Sequence, residues 1–280
     1  KYKREFGYSE RQQRKLLMQE AKALKADADV LEFYIVNDLL QTSEIIACTL
    51  VGASHPTLRG KRYKTVFIDE AAQALEPACW IPILRAERVV LAGDHHQLPP
   101  TVKSFEAGNA GLSKTLFEKC IQHHPQIAVM LHTQYRMHED IMRFSATYFY
   151  ENKLLADISV ASALLEPGMM PFDFIDTAGC GFTEAQDPET LSRYNEEEAQ
   201  FLIRQVEKLI LHVGVEQWNF SIGIITPYSA QVDRLIRLAE QSEELSTLAS
   251  RITINTVDAF QGQERDVIAI SLVRSNEKSE

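Results

Sequence analysis

Two short apolar runs, each ending in acid, constrain this chain more than any other feature of it. Val66-Phe67-Ile68 runs into Asp69-Glu70, and Val89-Val90-Leu91-Ala92 runs through Gly93 into Asp94. Runs this short and rich in β-branched residues read as buried strands, and in parallel α/β sheets the ligand crevice lies at the carboxyl ends of the strands. Acids set just past such strands stand where chemistry is done. Adjacent carboxylates suit work beside a nucleotide, one holding Mg2+ through oxygen and the other orienting an attacking water. The stretch 66–100 is therefore read as the working edge of a nucleotide hydrolase.

Strand-like and helical patterns alternate along the rest of the chain, which points to an α/β fold with parallel, doubly wound sheets. Ile45 to Val51 reads as a buried strand ending in the small-residue turn Gly52-Ala53-Ser54, Ser113 to Ile121 as a helix, and Ile127 to Leu131 as another strand. Ile141, Phe144, Ser145 and Tyr148 mark the apolar face of a helix. The loop-rich passage from Glu166 to Arg193 holds one short strand, Phe172 to Ile175. A second series follows: a helix from Asn195 to Leu211, a strand Ile222 to Thr226, a helix Ser229 to Ala239, and strands near Ile252 and over Val267 to Leu272. We expect a helical arm over 1–40, a first α/β domain over 41–132 and a second over 133–280. In the arm, Leu17, Ala21, Leu24, Ala28, Leu31 and Ile35 fall at a 4-3-4-3-4 spacing, close to the period of a coiled-coil seam. Two readings of that stripe stand open: half of an inserted hairpin, or a single amphipathic helix packed on the body.

Composition narrows the class. With 45% hydrophobic and 24% charged residues the 280-residue chain is ordinary for a globular protein, and no apolar run approaches the ~20 residues of a membrane span. The basic start has no apolar segment behind it and does not read as a secretory signal. A net charge of -10 argues against an all-over basic nucleic-acid surface and leaves room for a local basic groove. Cys48, Cys79, Cys120 and Cys180 form no C-x-x-C pair and no zinc spacing, so a reduced, intracellular setting, cytoplasmic or nuclear, is expected. His95-His96 and His123-His124 lack a second ligand pair at i+3 or i+4 and read as ordinary loop and surface histidines.

The second acidic edge continues as Gly93-Asp94-His95-His96-Gln97-Leu98-Pro99-Pro100. A neutral amide at Gln97 can touch a γ-phosphate and its attacking water without adding negative charge, and the Pro-Pro fixes the exit path. Val66-Phe67-Ile68-Asp69-Glu70-Ala71-Ala72-Gln73, the stretch just quoted, and Gln134-Tyr135-Arg136-Met137-His138 resemble motifs II, III and IV of superfamily 1 helicases of the Upf-like group. Ala74-Leu75-Glu76-Pro77-Ala78-Cys79-Trp80-Ile81-Pro82 looks most like the immunoglobulin-mu-binding protein subgroup. The resemblance runs in consistent order from about Cys48 to Asn276.

That resemblance implies two tandem RecA-like domains, ATP and Mg2+ as cofactors, and 5′ to 3′ movement on single-stranded RNA or DNA. It implies that Asp69 holds Mg2+, that Glu70 polarises the hydrolytic water and that Gln97 senses the γ-phosphate. Arg136 would act as an arginine finger from the second domain. Without the resemblance, Arg136 reads as one half of a structural ion pair. Thr256-Val257-Asp258-Ala259-Phe260-Gln261-Gly262-Gln263-Glu264 is similar to motif V, in which Gly262 lets the backbone approach phosphate and Glu264 accepts a hydrogen bond from the ribose. Unaided, it reads as a strand-to-helix turn. Asn195-Glu196-Glu197-Glu198-Ala199 resembles a nucleotide-side motif, yet Asn195 with Glu198 three residues on is also an N-cap arrangement, and we read it as a cap. For nucleic acid the resemblance points to Thr49, Ser54, Pro100, Thr101 and Thr256, with Tyr228 as a base-stacking ring. Tyr228 alone reads equally well as packing at a domain edge.

The P-loop pattern G-x-x-x-x-G-K-[ST] is absent from the 280 residues, since Gly60-Lys61 has His55 where the first glycine should stand. No arginine-rich motif VI follows Ser275-Asn276. We expect a helicase core fragment that, in isolation, binds ATP weakly and does not hydrolyse it. The alternative is a non-catalytic helicase-like scaffold that binds nucleic acid or protein. Its mark would be damaged motifs, and Asp69, Glu70, Gln97 and Arg136 all stand.

Overall fold

The structure, a computed structural model, describes residues 7–274, so Ser275-Asn276 and the outermost ends of the expected arm and second domain lie outside the described residues. The chain divides into two compact units, Lys1–Ala128 and Val129–Glu280. The architecture is α/β, with parallel pairing in the sheets that carry the motifs.

The first unit opens on helix α1 (Tyr8–Thr42), which contains neither glycine nor proline. Its first turn is closed by the Gly7 N–H donating to Glu10 Oε2 at 2.9 Å. It ends where the Ser43 N–H returns to Leu39 O at 3.0 Å. None of its residues is buried, and the seam residues Leu17, Leu24 and Leu31 all face solvent, so the helix is not packed on the body. Strand β1 (Tyr63–Ile68) then pairs in parallel with β2 (Ala86–Leu91) through helix α2 (Glu76–Ile83). Ile68, Ala71 and Cys79 form the buried centre of this unit, with Val66, Leu91, Leu116 and Phe117 packed against it. The two strands are covered on one face only: Phe67, between Val66 and Ile68, is 73% exposed. Helix α3 (Leu116–His123) begins in a capping box, with the Glu118 N–H donating to Thr115 Oγ1 and the Thr115 N–H donating to Glu118 Oε2.

The second unit is built on a parallel sheet of order β8-β7-β9, where β7 is Ile222–Thr226, β8 is Ile252–Thr256 and β9 is Val267–Ile270. Before it come β3 (Thr133–Gln134) paired in parallel with β4 (Leu155–Ala156), helix α4 (Glu139–Phe149), and a hairpin of β5 (Ala185–Gln186) with β6 (Arg193–Tyr194). Helix α5 (Glu196–Val213) turns Ala199, Ile203, Val206 and Ile210 inward at helical spacing against Ile222, Ile224 and Leu235, the last from helix α6 (Ser229–Gln241).

Four expectations are corrected here. Ile45 to Val51 is not a strand: Ile45 and Val51 are exposed, and among the described residues no ladder bond joins this segment to a neighbour. Ile127 to Leu131 is a 3-10 turn followed by irregular chain, with the parallel pairing beginning only at Thr133. Phe172 to Ile175 is irregular and exposed, and the strands of that passage are β5 and β6 instead. In α4 the buried face is Met142 and Ala146, whereas Ile141, Phe144 and Tyr148 are exposed, the last two with stacked rings. In each case apolar content was present and a packing or pairing partner was not.

The start of β7 and the start of β9 are tied by one carboxylate. Asp266 Oδ2 accepts from Ser221 Oγ at 2.6 Å and from the Ser221 N–H at 2.7 Å. These bonds favour the ionised form and hold Asp266 below its ordinary carboxylate range. With the folded-state pKa depressed, the contribution is fully present above the unfolded value and is lost as pH falls through the folded one. Asp266→Asn is expected to remove that acid-dependent part. Urea midpoints compared between wild type and variant should converge as pH falls into the acid range, and a constant gap across pH would show that Asp266 does not carry it.

Candidate active site

The β1–β2 register sets Ile68 beside Leu91, so both strands release their following turns at one level. The turns are then fastened together: the Ala92 N–H donates to Ile68 O at 2.9 Å, and the Ala71 N–H donates to Ala92 O at 2.8 Å. Gly93 makes this approach possible. A Cβ there would stand 2.9 Å from Ala72 N and 3.1 Å from Ala71 N, both backbone atoms. Ala71 and Ala72 are buried beneath, which gives the turns a fixed floor.

On that floor stand the acids. Asp69 and Glu70 are both exposed, and Asp69 Oδ1 accepts the Glu70 N–H at 3.0 Å. Glu70 has φ of 50°, in the left-handed region that costs a residue with a Cβ on the order of 1–2 kcal/mol. It is held there from Gln73, whose N–H donates to Glu70 O at 2.9 Å and whose Nε2 donates to Glu70 Oε2 at 2.7 Å. Strain of this kind persists only where the surroundings over-determine it, and it gathers at functional sites. From the second turn, Asp94 Oδ2 accepts from Gln97 Nε2 at 2.9 Å and Asp94 Oδ1 accepts the His96 N–H at 3.0 Å. Asp69, Glu70, Asp94 and Gln97 thus come from the adjacent carboxyl ends of two paired strands. Among the described residues no group of three or more His, Cys, Asp or Glu side chains is gathered around a metal position. An exposed carboxylate of this sort fits Mg2+, which keeps most of its waters and takes one or two protein oxygens.

In the second unit, Gln134 shapes the turn that carries Arg136. Its Oε1 accepts the Arg136 N–H at 2.7 Å and the Met137 N–H at 2.9 Å, while its Nε2 donates to Met137 O at 2.7 Å. Arg136 is exposed, and its Nε lies 3.3 Å from Glu264 Oε2. The ion pair and the motif V residue that the sequence kept apart are therefore one arrangement. Gly262 has φ of 75° and nothing within 4 Å of a Cβ position, so it leaves the backbone open on that side. Thr256 is occupied as an N-cap, its Oγ1 accepting the Ala259 N–H at 3.4 Å.

The other proposed nucleic-acid residues fall as follows. Thr49 and Ser54 are exposed on one turn, with Thr49 Oγ1 accepting the Gly52 N–H at 3.0 Å and Ser54 Oγ donating to Val51 O at 2.7 Å. Arg85 braces that turn from below by donating to Ala53 O at 2.7 Å. Pro100 is buried and Thr101 exposed, so of this pair Thr101 has the accessible side chain. Tyr228 is half-buried at the N-cap of α6.

The reading of Asn195 as a cap holds, since its Oδ1 accepts the Glu198 N–H at 3.0 Å. Glu198, however, does not complete a capping box. Its carboxylate accepts from Ser271 Oγ at 2.8 Å and from the Val273 N–H at 3.1 Å, clamping the chain that leaves β9. Gln231 closes the same network, accepting the Asn195 N–H and donating to Asn195 O and Ser271 Oγ. Sequence reasoning missed Gln231, Ser271 and the role of Glu198. The one available signal was a second and third glutamate in a turn where a cap needs only one.

Two family models described as AAA domain match the chain, one over residues 1–105 and the other over residues 112–280. The chain is 38% identical to the DNA polymerase alpha-associated DNA helicase A of Saccharomyces cerevisiae, with 96% of this chain and 43% of that protein covered. It is 37% identical to the DNA-binding protein SMUBP-2 of Mesocricetus auratus, covering 93% of this chain and 27% of that protein. It is 39% identical to an uncharacterized ATP-dependent helicase of Methanocaldococcus jannaschii, covering 86% of this chain and 36% of that protein. The chain thus spans less than half the length of each of these relatives.

Because the Gly93 position faces backbone, no side-chain movement can admit a methyl group there. Gly93→Ala is expected to lower the unfolding free energy of the first unit by ~1–3 kcal/mol, measured by chemical denaturation. Stability equal to wild type would mean that the two turns are not fastened as described.

Proposed function

The chain belongs to the superfamily 1 helicases of the Upf-like group, and from that premise we propose that it is the core of an ATP-dependent helicase or translocase working 5′ to 3′ on single-stranded RNA or DNA inside the cell. The observation that carries the reading is the pairing of Asp69-Glu70 with Asp94 and Gln97 at the flush ends of β1 and β2. Mg2+ with ATP supplies a phosphoryl group whose charge is partly neutralised before attack. Asp69 offers the exposed carboxylate that suits the metal. Glu70, exposed and held in a left-handed backbone, would orient water and take its proton. Gln97 is steadied by Asp94, and in this reading its amide would sense the γ-phosphate.

Arg136 supplies the positive charge for the transferring group in this reading, and its turn is pre-shaped by Gln134. Its exposed bond to Glu264 is weak enough to yield. In these roles Arg136 would meet phosphate and Glu264 the ribose, with Gly262 leaving the backbone open. Thr49, Ser54, Thr101, Thr256 and Tyr228 supply hydroxyls and a ring for a single strand. The isolated 280-residue chain, which has no P-loop pattern among its residues, is proposed to bind ATP weakly and not to hydrolyse it.

Two substitutions in the full-length protein test the assignment. Glu70→Gln should retain nucleotide binding and lose turnover, and Arg136→Ala should lower kcat by about a thousandfold or more. Phosphate release near the wild-type rate in either variant removes that residue from its role. Strand displacement from a substrate with a 5′ overhang, and not from one with a 3′ overhang, is the expected polarity.

A further inference from the structure

Three charged side chains, Glu184, Arg193 and Arg274, meet in a cluster whose Arg274 lies beside Tyr228, and the proposed hydrolysis has no use for them. Arg193 opens β6 opposite Gln186, and Glu184 stands two residues before Gln186 on the same face, so the two side chains meet diagonally across the hairpin, where Glu184 Oε1 pairs with Arg193 Nη1. Its other oxygen, Oε2, accepts from Arg274 Nε at 2.8 Å. The Tyr228 hydroxyl, together with Glu184, lies beside the Arg274 guanidinium and raises its pKa above the ordinary value. One carboxylate, one oxygen to each side, therefore bridges two guanidinium groups next to a tyrosine ring.

The two arginines are fixed by separate pieces of backbone. Arg193 is held by the hairpin, whose turn is organised by Asp187 accepting from the Thr190 and Glu189 N–H groups at 2.9 and 3.1 Å. Arg274 is held by the preceding residue: Val273 is buried with φ of 71°, and Glu198 and Asn195 bind its N–H and C=O. A left-handed residue other than glycine, clamped on both sides, aims the next side chain in one direction. The ion pairs themselves add little stability, because both arginines are well exposed. A geometry built with this much backbone constraint calls for another use.

We propose that Arg193 and Arg274 form a binding site for one phosphodiester of a single strand that stacks on Tyr228, and that Glu184 occupies this site in the absence of the strand. The two non-bridging oxygens of a phosphodiester match the two carboxylate oxygens that Glu184 now presents, one to each guanidinium. Entry of the strand displaces Glu184, so the carboxylate acts as a built-in competitor that weakens binding and favours release. This rests on the reading of Tyr228 as a nucleic-acid contact.

The test is equilibrium binding of a fluorescein-labelled oligothymidylate to the full-length protein across a salt series. Glu184→Gln is expected to tighten binding and to steepen the plot of log K against log salt by about 0.7 for each phosphate contact strengthened. Arg274→Gln should do the opposite, weakening binding and flattening the slope by about 0.7, which keeps the idea testable if Glu184→Gln fails to fold. Arg274→Lys should keep the wild-type slope. If wild type binds the oligonucleotide and Tyr228→Ala weakens it, while neither Glu184→Gln nor Arg274→Gln changes the slope, this inference is overturned and the helicase reading survives. If wild type does not bind the oligonucleotide at all, the reading beneath it fails as well. A change confined to ATP affinity would assign the arginines to nucleotide and overturn the proposal.

Discussion

The parallel register of β1 against β2 is the constraint on which the acidic edge depends. Side chains alternate along a strand, so a slip of one residue would turn Ile68 out and Phe67 in, and would carry Asp69 away from Gly93. The register is protected from below by the Ile68–Ala71–Cys79 centre and from the end by two backbone bonds between the turns. Burial and the Cys79 setting go together: desolvation raises the thiol pKa, so this cysteine is an inert core residue. Everything chemical in the first unit stands on that small, dry platform.

The second unit solves the same problem with polar groups. Asn195, Gln231 and Ser271 are fully enclosed, yet each has its partners, and Glu198 finishes the set. Inside a protein such a network is worth having only when complete, because any member left unpaired carries its full desolvation cost. The strand end after β9 is therefore fixed to the start of α5 and to α6 together. This is a stiffer connection than apolar packing alone, since hydrogen bonds specify direction as well as distance.

What could be read from residues alone follows the same physics. Ile222 to Thr226 was legible because an apolar run flanked by two helical patterns has one sensible place, between two neighbours in a parallel sheet, and the structure puts it there. Asn195 was legible as a cap because capping is local. The runs at 45–51, 127–131 and 172–175 were misread because apolar content signals that a segment wants a partner and says nothing of whether one is present. On α4 the bulky residues Phe144 and Tyr148 outweighed the small Ala146 in the pattern, although a small residue permits the closer approach. In the candidate site, the acids were visible as strand endings, whereas the Gln231 and Ser271 bonds join residues 36 and 40 apart in sequence and leave no periodic trace.

Helix α1 has a mechanical meaning that its lack of burial makes plain. Thirty-five residues at about 1.5 Å each make a rod about 50 Å long. A tilt of about one degree at its Thr42 end carries the Tyr8 end nearly an ångström, by simple lever geometry applied to a rod of that length. With none of its residues buried, a rod of this length takes its direction from the Ser43 junction and not from packing along its side.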